Sequence, residues 1–145
     1  AGHLPLTVQE LGCDFLVFSG HKMCGPTGIG ILYGRKKLLN AMPPYLGGGE
    51  MIANAGYESS TYKESPYRFE AGTPAIAEAI GLGVAADYIE RIGRQNIFNH
   101  DRDLVDYALS RMLEIPGMHV IGPLSNRAAL VSFTMDAAHA HDIVS

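Results

Sequence analysis

The chain has 145 residues, 47% of them hydrophobic, and a formal net charge of −4, which together predict a soluble globular protein with one domain or parts of two. No apolar run is long enough to cross a membrane, and the scattered basic residues form no nucleic-acid surface, so neither a membrane nor a nucleic acid is expected as a partner. The two cysteines, Cys13 and Cys24, do not make a disulfide framework, which favours a reducing compartment.

The first third of the chain predicts two helices and two strands. Thr7 and Glu10 have the spacing of a capping box, which predicts the start of a short helix. Residues 13–19, CDFLVFS, are an apolar run of strand length between turn residues and predict a buried strand. A second strand is predicted over residues 28–34, and a short helix over residues 36–42, where prolines stop it.

Residues 45–69 show no sustained periodicity and are rich in Gly, Ser, Tyr and Glu. An irregular segment of this length predicts an ordered loop with a functional role. Two interpretations of its larger side chains stay open, since the loop either packs on its own aromatic residues or crosses to a partner subunit and shapes the entrance of that subunit's site. These side chains are Tyr45, Tyr57, Tyr62, Tyr67 and Arg68.

Two long helices are predicted next. Thr73 suits an N-cap and Pro74 the first helical position, so a helix is expected from there to Gly93. The apolar side chains expected to pack on the core share one helical face: Ile76, Ile80, Val84 and Tyr88. The second helix, over residues 97–113, has the stripe Leu104, Val105, Ala108, Leu109 and Met112.

Two short strands are predicted after these helices, at residues 119–121 and 130–135, and the last residues resemble the first turn of another helix. Mixed strands and helices predict an α/β fold. The two consecutive helices predict a domain boundary that divides the chain into residues 1–93 and 94–145. Because the chain opens on Ala1 and closes within a predicted helix, it is expected to be an internal piece of a longer protein.

The sharpest chemical feature is a lysine directly after the first predicted strand, in Ser19-Gly20-His21-Lys22. Ligand sites in α/β proteins gather at the carboxyl ends of strands. A partly desolvated crevice favours the neutral amine of a lysine, which is the form that attacks an aldehyde to make a Schiff base. Ser19 and His21 offer groups that bind phosphate oxygens. From composition alone, an ordinary solvated loop lysine is the simpler interpretation.

The wider sequence resembles the class V aminotransferases. Residues 13–22, CDFLVFSGHK, and the following GIGIL match the pyridoxal-phosphate (PLP) attachment signature of that family at every constrained position. The longer text FSGHKMCGPTGIGILYG is similar to the group II (SUF-type) cysteine desulfurases, with a likeness to cyanobacterial and plastid members. The segments MPPYLGGG and RFEAGTP resemble two further parts of the same family. The likeness covers nearly the whole chain and is strongest over residues 13–74.

The resemblance implies a fold type I PLP enzyme with an α/β fold, of which this chain covers part of the large PLP-binding domain and the start of the small C-terminal domain. It also implies a homodimer in which both subunits contribute to each active site. Lys22 would be the catalytic residue and the covalent anchor of PLP. Ser19 and His21 would hold the phosphate of the same subunit's cofactor. Gly47 and Thr73 would reach the phosphate across the dimer interface, and an N-cap at Thr73 would add unpaired N–H groups that attract an anion.

The implied reaction converts L-cysteine to L-alanine and leaves the sulfur as an enzyme-bound persulfide for iron–sulfur cluster assembly. A sulfur-acceptor scaffold protein is the implied partner, and the compartment is the cytoplasm or a plastid. The family's catalytic cysteine and substrate-binding arginine are expected after residue 145. Its pyridine-pairing aspartate and ring-stacking histidine are expected before Ala1. The isolated chain is therefore expected to be inactive.

Three alternatives remain open. A selenocysteine lyase acting on L-selenocysteine shares the scaffold and would differ in a C-terminal loop. Another class V enzyme, such as an aminotransferase or a kynureninase, is disfavoured by the combined GHKMCGPTGIG and RFEAGTP segments. The third alternative is a non-catalytic truncated chain whose sheet has lost strands and exposes apolar edges.

The remaining motifs carry no predicted function. His139 and His141 form a His-x-His pair, but no spacing to the cysteines resembles a zinc signature, so no metal is expected. Cys24 lies two residues after Lys22, yet free cysteines are more often small core residues than sulfur acceptors. The glycines that follow precede a strand instead of opening a helix, which excludes a dinucleotide-binding loop.

Overall fold

In the computed structural model, which describes residues 2–144, the chain forms two compact units that mix helices with two-stranded sheets. One unit comprises residues 6–89, and the other combines residues 2–5 with residues 90–144. The division lies four residues before the boundary predicted from the sequence. The assignment of the two parts to a large and a small domain stays a prediction.

The unit of residues 6–89 opens with a short helix followed by an antiparallel hairpin. Its first elements are α1 (Val8–Leu11), β1 (Phe15–Ser19), a 3-10 helix (Gly20–Met23), β2 (Gly30–Gly34) and α2 (Lys36–Ala41). Gly12 ends α1 in the left-handed conformation, with φ at 62°. The predicted capping box is not formed, because the Thr7 hydroxyl donates to the Glu10 carboxylate and caps no backbone N–H group.

Strand β1 is half exposed, so the prediction of a buried strand is wrong for this chain. β1 pairs with β2 along its whole length, from Phe15 opposite Gly34 to Ser19 opposite Gly30. Phe15 and Val17 are exposed, Val17 by 71%, while the alternate side chains of the strand are half-buried. The cause is that none of residues 2–144 covers the face that carries Phe15 and Val17. An apolar run indicates that its residues favour burial, but they are buried only when another helix or sheet packs on that face of the strand.

Residues 45–69 are not one irregular loop. They contain a second antiparallel hairpin, β3 (Ile52–Ala55) with β4 (Ser60–Tyr62), and a 3-10 helix at Tyr67–Phe69. The register shifts between Ile52 and Asn54. Met51, immediately before β3, is completely buried. The strands are so short, and the irregularity so near their start, that the alternation of period two is not visible in the sequence.

Helix α3 (Ile76–Ile92) buries the face opposite to the predicted one. Its buried side chains are Leu82, Ala85 and Ile89. The side chains predicted to pack on the core are instead between 47% and 66% exposed: Ile76, Ile80, Val84 and Tyr88. Because α3 is apolar on both faces, the helical period alone does not decide which face meets the core. Gly93 ends α3 as predicted, with φ at 90°.

The second unit holds one long helix and a third antiparallel hairpin. Its elements are α4 (Arg94–Met112), β5 (Met118–Ile121), β6 (Ser132–Met135) and α5 (Ala140–Val144). These elements confirm the predicted helix, the two predicted strands and the final helical turn. Leu109 is the buried residue of the predicted α4 stripe, whereas Leu104 is exposed. Within residues 2–144, no helix has the length and apolar character that a bilayer span requires.

Candidate active site

The lysine predicted to anchor the cofactor lies directly after β1. The strand ends at Ser19, and the chain turns at once into the 3-10 helix Gly20–Met23, which carries His21 and Lys22. The structure therefore brings these three predicted residues together on one turn. Ser19 is half-buried, whereas His21 and Lys22 are exposed. Residues 2–144 do not form the crevice expected around Lys22, so desolvation of its amine requires atoms from outside this part of the chain.

Backbone hydrogen bonds hold the turn at Gly20, which is buried and whose carbonyl also accepts from the Cys24 N–H. The Gly20 N–H donates to the Ile29 carbonyl at 2.8 Å, and the Gly20 carbonyl accepts from the Gly25 N–H at 3.0 Å. A Cβ at Gly20 would lie 2.9 Å from Ile29 Cγ2 and 3.0 Å from the Pro26 carbonyl oxygen, so a larger residue does not fit without displacement. Cys24 completes the turn with φ at 57°.

The glycine-rich loop after the lysine packs against α3. A Cβ at Gly25 would lie 3.0 Å from Leu82 Cδ1, and a Cβ at Gly81 would lie 3.3 Å from Pro26 Cγ. A Cβ at Gly25 would also lie 2.9 Å from the Gly20 carbonyl oxygen and does not fit without displacement, whereas a Cβ at Gly81 would make a tight contact. Gly28, farther along the loop, has φ at 81°, a conformation that residues with side chains rarely adopt. Helix α3 is thus the support of the turn that carries the lysine.

The two residues predicted to reach a partner's cofactor, Gly47 and Thr73, lie on two loops that are joined to each other. The Gly72 N–H donates to the Gly49 carbonyl at 3.0 Å. Gly47 is two positions before this junction, and Thr73 is one position after it. Both residues are exposed, and a Cβ built at Gly47 meets no atom within 4 Å. The junction therefore joins the two loops close to both residues along the chain, and Gly47 lies beside open space.

Thr73 is not the N-cap of α3, so that part of the prediction is wrong. The helix begins at Ile76, and the Ala79 N–H donates to the Ala75 carbonyl at 2.9 Å. The unpaired N–H groups of the first turn therefore follow Ala75. Pro74 lies in non-helical backbone before the helix. The exposed hydroxyl of Thr73 is the group that this residue offers to a ligand.

The structure adds a network that the sequence did not reveal. Arg68 is half-buried, and its guanidinium donates to three backbone carbonyls. Nε donates to the Lys63 carbonyl oxygen at 3.0 Å. Nη1 donates to the carbonyl oxygens of Asn40 at 2.8 Å and Met42 at 3.0 Å. Asn40 Oδ1 in turn accepts from the N–H and the hydroxyl of Ser65, at 2.9 and 2.8 Å. Two of the carbonyls lie 26 and 28 residues from Arg68, so local spacing carries no sign of them.

The tyrosines of residues 45–69 do not pack as one aromatic cluster. Tyr45 and Tyr57 are almost wholly exposed, and Tyr57 lies in the turn between β3 and β4. Tyr67 faces the ammonium of Lys63, with Nζ 5.9 Å from the ring centroid. The interpretation in which the segment packs on its own aromatic residues is wrong for Tyr45 and Tyr57. A role at a partner subunit stays a prediction.

The other candidate groups do not assemble into a site. Among residues 2–144, no three His, Cys, Asp or Glu side chains are arranged to hold a metal ion. The rings of His139 and His141 stack on each other, with centroids 5.2 Å apart. Cys24 is exposed and Cys13 is half-buried, and neither forms a disulfide.

Comparison with known proteins places these loops in one family. Residues 1–145 match the family model described as Aminotransferase class-V. A probable cysteine desulfurase of Streptomyces coelicolor is 52% identical over 145 residues, which cover 99% of this chain and 35% of that protein. The crystal structure of the cysteine desulfurase CsdA from Escherichia coli has a TM-score of 0.90 and 37% identity, over 99% of this chain and 35% of that one. A mutant of C-DES with glycine covalently linked to its PLP cofactor has a TM-score of 0.84 and 28% identity, over 99% of this chain and 38% of that one.

The matches agree in sequence and in backbone geometry. The chain spans about 35% of the length of the curated relatives that it matches. Its superposition on the cysteine desulfurase structure confirms the predicted fold class, α/β of fold type I. The family resemblance identified from the signature around Lys22 is confirmed over the whole chain. The chain belongs to the aminotransferase class-V family.

Proposed function

We propose that this chain is an internal part of a PLP-dependent cysteine desulfurase and that Lys22 is the covalent anchor of the cofactor. The observation that supports this most directly is the turn after β1, which places Lys22 beside Ser19 and His21 in a chain 52% identical to a probable cysteine desulfurase. An amine, a hydroxyl and an imidazole on one turn fit the aldehyde and the phosphate of PLP. When bound, PLP supplies an electron sink for the substrate's carbanion.

Each residue of the turn has its own task in this proposal. Lys22 Nζ would hold the cofactor's aldehyde carbon covalently and would carry protons to and from the substrate. The hydroxyl of Ser19 and the imidazole of His21 hold phosphate oxygens. The buried Gly20 fixes their backbone through its bonds to Ile29 and Gly25. The cover over the exposed Nζ comes from parts of the enzyme outside residues 2–144.

Gly47 and Thr73 serve the cofactor of the second subunit in a homodimer. The joined loops present a free hydroxyl at Thr73 and open space at Gly47, which suits the approach of a phosphate group. The residues of each group are held by their own backbone bonds, one set at Gly20 and the other at Gly49 and Gly72. A second subunit or the rest of the enzyme covers two further surfaces. One is the exposed Tyr57, and the other is the α3 stripe, the exposed face of α3 formed by Ile76, Ile80, Val84 and Tyr88.

The proposed substrate is L-cysteine, which is converted to L-alanine while its sulfur is kept as an enzyme-bound persulfide for a scaffold protein of iron–sulfur cluster assembly. The names of the relatives support the reaction, and the segments GHKMCGPTGIG and RFEAGTP support the group II (SUF-type) assignment. Because the chain spans about 35% of those relatives, the sulfur-accepting cysteine is assigned to a part outside it. The cytoplasm or a plastid is the proposed compartment.

Covalent trapping tests the anchor. The full-length protein that carries this chain is incubated with PLP, reduced with borohydride and mapped by mass spectrometry. We expect the pyridoxyl group on Lys22 and none on the chain's other lysines, Lys36, Lys37 and Lys63. Lys22→Ala abolishes the label, whereas the matched variant Lys37→Ala keeps it. A label that stays in Lys22→Ala, or that is spread over the other lysines, rejects Lys22 as the anchor.

The substrate assignment has a separate test. The same protein is assayed for alanine release from L-cysteine and from L-selenocysteine at matched concentrations. Turnover of both, with a persulfide trapped on the enzyme from L-cysteine, agrees with a desulfurase. Turnover of L-selenocysteine alone identifies a selenocysteine lyase, and transamination without alanine release identifies another class V enzyme.

A further inference from the structure

We propose that Arg68 is a positioning residue: it fixes the two loops that carry Gly47 and Thr73, and thereby sets how tightly the cofactor phosphate is held. This inference rests on the function proposed above for those two loops. Arg68 itself does not touch the cofactor in this proposal. Its guanidinium acts through the backbone carbonyls that it binds.

The Asn40 carbonyl at the end of α2 lacks a backbone donor because of two prolines. A helical carbonyl is normally satisfied by the N–H three or four residues later. For Asn40 those positions are Pro43 and Pro44, which have no N–H to donate. Nη1 of Arg68 supplies a donor at 2.8 Å to Asn40 and at 3.0 Å to Met42. At Asn40 the arginine thus replaces the hydrogen bond that the prolines remove, and at Met42 it serves the carbonyl of the extended residue that follows the helix.

The same guanidinium ties α2 to the segment that leads to Thr73. Its Nε donates to the Lys63 carbonyl at 3.0 Å, and Ser65 donates twice to the Asn40 side chain. Gly47 follows Met42 by five residues, and Thr73 follows Arg68 by five residues. Arg68 therefore lies five residues before Thr73 and binds the carbonyl of a residue that lies five positions before Gly47.

Hydrogen bonds join the two loops at both ends. Arg68 joins them at one end, and the bond from the Gly72 N–H to the Gly49 carbonyl, 3.0 Å long, joins them at the other. With the Arg68 bonds and the Gly72–Gly49 bond both in place, the separation of Gly47 and Thr73 is fixed. Without Arg68, the glycine junction and the Ser65–Asn40 bonds remain, but the Asn40, Met42 and Lys63 carbonyls lose the guanidinium that joins them, and the two loops are held less tightly.

Position 68 requires the shape of the arginine guanidinium as well as its charge. Its two donor nitrogens serve three carbonyls that belong to two chain segments. The planar guanidinium can donate hydrogen bonds to these three carbonyls from two nitrogens at once, whereas a lysine has a single nitrogen and cannot. No carboxylate among the described residues forms an ion pair with Arg68, so its charge is directed at the carbonyls alone.

The experiment measures cofactor affinity in the full-length protein. Apo-enzyme is titrated with PLP, and Arg68→Met is compared with the matched control Arg35→Met, which removes an exposed arginine of the same unit that pairs with Asp14. We expect Arg68→Met to weaken PLP binding about tenfold, the effect of losing roughly one net hydrogen bond. The turnover number at saturating PLP changes far less. The ³¹P resonance of the bound cofactor shifts or broadens in Arg68→Met and not in Arg35→Met.

Two further variants keep the inference falsifiable. If Arg68→Met is insoluble, Arg68→Lys is measured, and it too must weaken PLP binding because it keeps the charge and loses the fork. Methylguanidinium is expected to restore part of the affinity of Arg68→Ala. Wild-type affinity and an unchanged ³¹P resonance in the Arg68 variants overturn the inference while leaving the proposed function intact. Failure of the wild-type protein to bind PLP at Lys22 rejects the proposed function instead.

Discussion

Gly20 is the single residue on which the geometry of the Lys22 turn depends most. It is buried, it uses both of its backbone groups, and it lies between the end of β1 and the loop that packs on α3. A side chain here would meet the backbone of Pro26 as well as the side chain of Ile29. A flexible side chain can give way, but a backbone carbonyl in a short loop cannot move without displacing the turn.

Gly20→Ala is therefore expected to destabilise the protein by about 1–3 kcal/mol, the usual cost of overpacking. Gly83→Ala is the matched control, because Gly83 lies within α3 and a Cβ there meets no atom within 4 Å. In that position alanine is neutral, or stabilises by up to about 1 kcal/mol through helix propensity. Urea unfolding of the full-length protein measures both changes. Equal free energies of unfolding for Gly20→Ala and the wild type would show that the turn is not held as described.

At the scale of elements, features that depend on neighbours along the chain could be predicted from the sequence. The helix from Lys36, the helix ended by Gly93 and the turn with Ser19, His21 and Lys22 are all specified by local residues. The buried face of α3 could not be predicted, because both of its faces are apolar. The contacts of Arg68 with the Asn40 and Met42 carbonyls could not be predicted either, since these residues are separated from it by the β3–β4 hairpin.

The β3–β4 hairpin carries an exposed side chain that the packing of its own unit does not explain. Its turn carries Tyr57, which has no cover from any of residues 2–144. An exposed aromatic side chain at the turn of a hairpin suits contact with another surface. The prediction that this segment crosses to a partner subunit and shapes the entrance of its site therefore leads to a kinetic test.

We expect Tyr57→Ala to lower kcat/KM for L-cysteine while changing the free energy of unfolding by less than about 0.5 kcal/mol, as is usual for exposed positions. The matched control is Tyr107→Ala, since Tyr107 is an exposed tyrosine on α4. Steady-state kinetics and urea unfolding are measured on the same preparations. If Tyr57→Ala and Tyr107→Ala have the same kcat/KM, the hairpin does not shape a site entrance.

At the scale of the whole molecule, the chain buries little of its apolar surface. Its accessible surface is 10657 Å² for a mass of 15.6 kDa. Even two fully separate compact domains of half that mass would together expose only about 8,700 Å². Within residues 2–144, the buried hydrophobic residues are Met51, Leu82, Ala85, Ile89 and Leu109. In the proposed enzyme, the remaining surface is covered by the parts that the longer relatives have in addition.

The isolated 145-residue chain is consequently expected to release neither alanine nor sulfide from L-cysteine, even with PLP present. Lys22 is exposed, so its amine lacks the desolvation that the reaction requires, and the sulfur-accepting cysteine is assigned elsewhere. The chain is also expected to bind the dye ANS and to self-associate, because the α3 stripe and the β1 face are exposed. Alanine is measured by chromatography, with the full-length protein as positive control. Alanine release that disappears in Cys24→Ser would show that Cys24 is the sulfur acceptor and that the chain carries a complete catalytic site.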